Sequence, residues 1–132
     1  SPIWRGGGVA FAARPRSYET RMPKKMRRAA TRSALSSRVT DERILVVSTL
    51  EPDEPKTKSM IAALTNLEAS GKILLIDEQV AVTTNRAGRN LPGLHMKPAS
   101  TLNILDVLDH DYLIFSVNGI RQIERLLDDA NA

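Results

Sequence analysis

The sequence predicts an α/β fold: a three-layer α/β/α body with a mainly parallel sheet of about four strands, preceded by an N-terminal basic extended arm. Three observations lead there. Short runs that are apolar throughout, ILVVS at 44–48 and ILLID at 73–77, suit strands covered on both faces. Helix-length stretches with apolar stripes separate such runs, and strands alternating with helices imply parallel pairing through crossovers. Finally, residues 1–39 hold ten Arg or Lys against the single acid Glu19, a charge of +9 (ten minus one), whereas residues 40–132 hold nine bases and fourteen acids. The summed charge of +4 is therefore a basic arm joined to a mildly acidic body, a polarity that points to a polyanionic partner.

The arm, residues 1–23, interleaves Trp4, Phe11 and Tyr18 with Arg5, Arg14, Arg16 and Arg21. That pattern suits a strand that stacks rings or guanidinium planes on bases while its charges meet phosphates. Gly6, Gly7 and Gly8 remove side chains where backbone must approach something closely, at an entropic cost that an isolated chain does not recover. The arm is expected to order on its partner. The alternative is a solvated basic tail with the glycines as linker.

The body, residues 24–132, begins after Pro23 with a helix over 24–39, where Met26, Ala30, Ala34, Leu35 and Val39 fall at near-helical spacing. Its other faces carry Lys24, Lys25, Arg27, Arg28, Arg32 and Arg38, a basic ridge continuing the arm. An ordinary solvated helix face mixes signs to gain i,i+4 pairs, and this run has no acid. The first strand, 44–48, follows. Pro55 suits the first turn of the next helix, with Met60, Ile61, Leu64 and Leu67 as its stripe and Gly71 as its stop. After the strand at 73–77, Asp77 and Glu78 read as a cap for the following helix. TNRAGRNLPG at 84–93 reads as a loop leading into a weaker strand that includes 94–97; its Arg86 and Arg89 are a second candidate RNA contact, or simply bases on a loop whose turn Asn90 fixes. Lys56 and Lys58 have the same standing. Ser100 or Thr101 can cap a helix with Leu102, Leu105 and Leu108 inward. A strand at 113–117 (LIFSV) leads to a last helix from about Asn118 with Ile120, Ile123, Leu126 and Leu127 as its stripe.

Composition and motifs narrow the function. Zero cysteines exclude disulfides and thiolate metal sites. No stretch approaches the ~20 apolar residues that cross a bilayer, and the opening residues contain no signal-peptide core. Neither a P-loop nor a dinucleotide fingerprint is present, since Gly6 to Gly8 precede no helix. His95 falls in or beside the third strand, and His110 sits between Asp109 and Asp111 at a helix-to-strand turn, where adjacent side chains diverge and nothing completes a coordination set. No catalytic residue, metal site, cofactor or small-molecule substrate is expected, and no membrane partner.

The residues that carry the arm's chemistry also carry a likeness. WRGGGVAF at 4–11 and KKMRRAATRSALS at 24–36, together with EPKTK at 54–58 and RNLPG at 89–93, resemble the central part of bacterial-type large-subunit ribosomal protein four. The likeness covers nearly the whole chain. It implies a three-layer α/β body, no enzymatic activity, and a structural constituent of the large ribosomal subunit that contacts ribosomal RNA and neighbouring ribosomal proteins. On that footing the RNA-binding set is Trp4, Arg5, Gly6, Gly7, Gly8, Phe11, Arg14, Arg16, Arg21, Lys24, Lys25, Arg27, Arg28, Arg32, Arg86 and Arg89. Family members begin with a further N-terminal section holding the first half of an RNA-threading loop, so this chain is expected to be a fragment, a processed product or one piece of a split protein. The expected location is a cytoplasmic ribosome, with an organellar one as alternative. Two other functions use parts of the same sequence: an RNA-binding regulator acting outside the ribosome, and, with less support, a small-molecule-binding α/β enzyme.

Overall fold

Four strands lie side by side: β1 (Ile44–Val47), β2 (Ile73–Asp77), β3 (Leu94–Pro98) and β4 (Tyr112–Ser116). The structure is a computed structural model and describes residues 3–128. All pairings are parallel, in the order β1-β4-β2-β3, with Ile44 opposite Leu113, Leu75 opposite Ile114 and Leu75 opposite Met96. Parallel neighbours need crossovers, and five helices are disposed on the two faces: α1 (Lys24–Thr40), α2 (Thr57–Asn66), α3 (Val82–Gly88), α4 (Ile104–Asp109) and α5 (Val117–Leu127). The fold is the expected three-layer α/β/α body with four parallel strands.

Successive strand residues point to opposite faces, so the sheet feeds two cores. Leu74, Ile76, Leu113 and Phe115 pack with Ala34 of α1, Val107 of α4 and Ile123 of α5. On the other face Ile73, Leu75 and Ile114 pack with Met60 of α2 and Ala87 of α3. Each wholly buried Leu, Ile or Phe side chain contributes about 1.5–3 kcal/mol of transfer free energy.

Several elements depart from the sequence expectation. β1 lies at the sheet edge and is not covered on both faces: Val46 is 52% exposed. α2 begins at Thr57, with Pro55 before it in the connecting loop, and only Met60 of its expected stripe is buried; Ile61 and Leu67 face solvent. The helix ends at Asn66 with Leu67 as its C-cap, and the turn beyond it is made by Glu68 at a positive φ of 56°. Gly71 serves the next turn instead, where φ is 78° and an added Cβ would strike the Asp111 carboxylate that accepts the Lys72 N–H at 2.9 Å. The cap of α4 is Asn103, in a reciprocal capping box with Asp106, while Ser100 and Thr101 belong to a 3-10 turn (Ala99–Thr101). The inner face of α4 is Ile104 and Val107; Leu105 is 72% exposed and Leu108 is also outside. In α5, Leu126 is exposed while Ile120, Ile123 and Leu127 pack inward.

The carboxyl ends of β2 and β4 are joined by side chains. Ser116 caps α5 by accepting the Gly119 N–H at 2.9 Å, and its hydroxyl donates to Asp77 Oδ1 at 2.6 Å. Asp77 therefore serves the neighbouring strand; α3 is preceded by Ala81 and has no side-chain cap. Gly119 is required by close approach, because a Cβ there would lie 2.8 Å from the Ile76 carbonyl oxygen.

Candidate nucleic-acid interface

Residues 3–23 contain no helix or strand, and all of them are exposed. Trp4, Phe11 and Tyr18 thus present apolar rings to solvent, which a packed domain avoids. One local feature has a clear cause: the Gly7 N–H donates to the Trp4 carbonyl at 2.8 Å while Gly6 holds φ at 75°, the pattern of a type II turn with glycine at its third position. Gly8 has no neighbour within 4 Å of a hypothetical Cβ, so nothing among the described residues explains its lack of a side chain. The Arg16 guanidinium lies 4.9 Å from the centre of the Tyr18 ring, a cation–π pair already formed within the arm.

α1 continues the charge. Its N-terminus follows Pro23, whose carbonyl accepts the N–H groups of Met26 and Arg27, and no side chain caps it. The first turn has no acid and begins Lys24-Lys25, with Arg27 next, all exposed. Cations at the positive end of a helix are mutually unfavourable with its dipole, and an anion placed there relieves both.

The ridge is not basic all round. Of its bases, Arg28, Arg32 and Arg38 are partly buried against the body together with Ala30, Thr31, Ala34 and Leu35. Arg38 donates to the carbonyls of Val107 and Leu108 at the end of α4, at 3.1 and 2.9 Å. Arg32 donates through Nη2 to the Leu127 carbonyl at the end of α5. Both satisfy orphan carbonyls at the negative end of a helix. Met26 and Val39, expected on the inner stripe, are exposed. The six bases look alike in sequence because period alone does not say which way a helix faces when arginine occupies part of its inner side.

The structure does not bring the second patch to the first. Arg86 and Arg89 are exposed, but they stand on the last turn and C-cap of α3, a helix where a loop was expected, in the layer across the sheet from α1. That position favours cations for the helix itself. Lys56 is 2.9 Å from Glu54 Oε2 in an exposed ion pair, and Lys58 is exposed.

His95 and His110 meet edge to face, their ring centroids 5.1 Å apart. His110 Nδ1 lies 2.8 Å from the Asp106 carbonyl oxygen, which only accepts, so Nδ1 carries a proton and donates, while Nε2 lies 3.0 Å from His95 Nδ1. Both nitrogens of His110 are occupied, a pairing of β3 with the α4–β4 turn that the sequence did not suggest. Among the described residues no three His, Cys, Asp or Glu side chains gather to hold a metal ion. Likewise no helix among them is long and apolar enough to cross a membrane.

Over residues 1–126 the chain matches the Ribosomal protein L4/L1 family. It is 40% identical over 126 residues to the large ribosomal subunit protein uL4 of Heliobacterium modesticaldum. To that of Desulforudis audaxviator it is 42% identical over 127 residues, and to that of Carboxydothermus hydrogenoformans 40% over 126. Each alignment takes in 96% of this chain and 61% of the relative, so the chain spans about three fifths of the length of these curated relatives.

Proposed function

Because this chain belongs to the Ribosomal protein L4/L1 family, we propose that it is a structural constituent of the large ribosomal subunit that binds ribosomal RNA through its arm and the head of α1. The observation that carries the reading is a continuous stretch of exposed cations, Arg5, Arg14, Arg16, Arg21, Lys24, Lys25 and Arg27, with Trp4, Phe11 and Tyr18 exposed among them. Phosphates neutralise those charges, and unstacked bases give the rings an apolar surface that the body does not provide. Gly6, Gly7 and Gly8 let an RNA backbone come close to the chain between Arg5 and Phe11. Arg28 and Arg32 contribute field from a half-buried position; Arg86 and Arg89 make a separate, weaker contact. No reaction belongs to this function, and neighbouring ribosomal proteins are its other partners. The setting is a ribosome in the cytoplasm.

The test is sedimentation of the tagged chain, expressed in cells, through a gradient after a moderate salt wash. It is expected to travel with the large subunit. Recovery of all of it at the top of the gradient, folded, would overturn the assignment.

A further inference from the structure

The layer across the sheet from α1 leaves part of the sheet uncovered. α2 and α3 pack there, yet at the edge strand β1 the side chains of Leu45 and Val47 are only half-buried. A recess of about 90 Å3 opens beside them, walled by Val47, Leu50, Met60, Leu64 and Leu67 and floored by Leu75 and Ile114. Ala63 lies exposed on its α2 side, and Glu51 is the only charged side chain in its lining. The chain around it is acidic. Residues 49–54 and 67–68, which include or adjoin its lining, hold Glu51, Asp53, Glu54 and Glu68 and no base. Lys56, just beyond, pairs with Glu54 at 2.9 Å, which offsets one of these acids.

We propose that this recess docks a basic segment of another polypeptide, which inserts one aliphatic or aromatic side chain between β1 and α2. The apolar walls select an apolar anchor. The acidic surroundings attract Lys and Arg beside that anchor and repel phosphate, so RNA is the wrong occupant. α1 occupies the opposite layer, so RNA on the arm and α1 and a protein segment on β1 and α2 can be held together. This inference does not rest on the ribosomal reading, since charge and shape alone support it.

The test uses the full chain labelled at its Leu, Val and Ile methyl groups. It is titrated with a lysine-rich peptide bearing one central leucine, with the same peptide carrying serine there, and with an RNA hairpin. The leucine peptide is expected to shift the Val47, Leu50 and Leu64 methyls and to bind roughly tenfold or more tighter than the serine peptide. Ala63→Arg, on an exposed position, is expected to abolish those shifts, and Glu51→Lys to weaken binding a few-fold, with melting temperature and hairpin affinity unchanged in both. Several results overturn the proposal: equal binding of the two peptides, shifts confined to other methyls, undiminished binding by Ala63→Arg, or displacement of the peptide by the hairpin. Concentration-dependent dimers lost on Ala63→Arg would also overturn it, by making a second copy the occupant.

Discussion

The Nε–H of Arg38, near the end of α1, donates to the carbonyl oxygen of Val107 at 3.1 Å, across 69 residues of sequence. With the second bond to Leu108, this guanidinium fastens α1 to the end of α4, so its donors serve the fold. Arg38→Met keeps the aliphatic stem and removes the donors. It is expected to cost about 1–2 kcal/mol. Melting temperature should then fall by about 5–15 °C, measured by calorimetry, while the salt dependence of RNA binding stays the same.

The exposed bases at the head of α1 should behave in the opposite way. Parent binding to a large-subunit ribosomal RNA fragment, with about six phosphates neutralised, should give a slope of log K against log salt of roughly −4 to −5. Replacing Lys24, Lys25 and Arg27 together with Ala should make that slope shallower by roughly 2–3, with thermal stability held or slightly raised. An unchanged slope in a filter-binding titration would remove α1 from the interface.

Charge alone would be satisfied by any comparable basic peptide, so the arm's rings give a sharper test. Trp4→Ala and Phe11→Ala are each expected to weaken binding to that RNA by about 1–3 kcal/mol while leaving the salt slope almost intact, because stacking releases no counterions. Variants that bind as well as the parent would reduce the arm to an electrostatic tether.

The link between Asp77 and Ser116 predicts a stability effect confined to the body. Ser116→Ala removes both the α5 cap and the donor to Asp77, and should lower stability by about 1–2 kcal/mol in urea denaturation. Leu75→Asp places an unpaired charge in the α2–α3 core and should prevent folding altogether.

The charge arithmetic by itself suggests that a chain beginning at Asp41 folds and merely loses RNA affinity. Packing predicts otherwise: Ala34 is buried among Val107, Phe115 and Ile123, and Arg32 and Arg38 tie α1 to α5 and α4. Circular dichroism should show a native-like melt for a chain beginning at Met22 and loss of the cooperative transition for one beginning at Asp41.

What the sequence by itself determined is whatever is written locally. Charge density placed the arm, and the unbroken apolar runs at β2 and β4 located the buried strands to within a residue, because a strand flanked by helices on both sides has no polar face to blur the pattern. Tertiary structure decided the rest. Which arginines of α1 face water depends on the ends of α4 and α5, 69 and 95 residues away, whose carbonyls need donors. The inner face of α4 depends on a cap at Asn103 that shifts its phase, which is why Leu105 and Leu108 fall outside. The edge position of β1, and with it the recess beside α2, follows from strand order, a property of pairings between distant segments that no local pattern encodes.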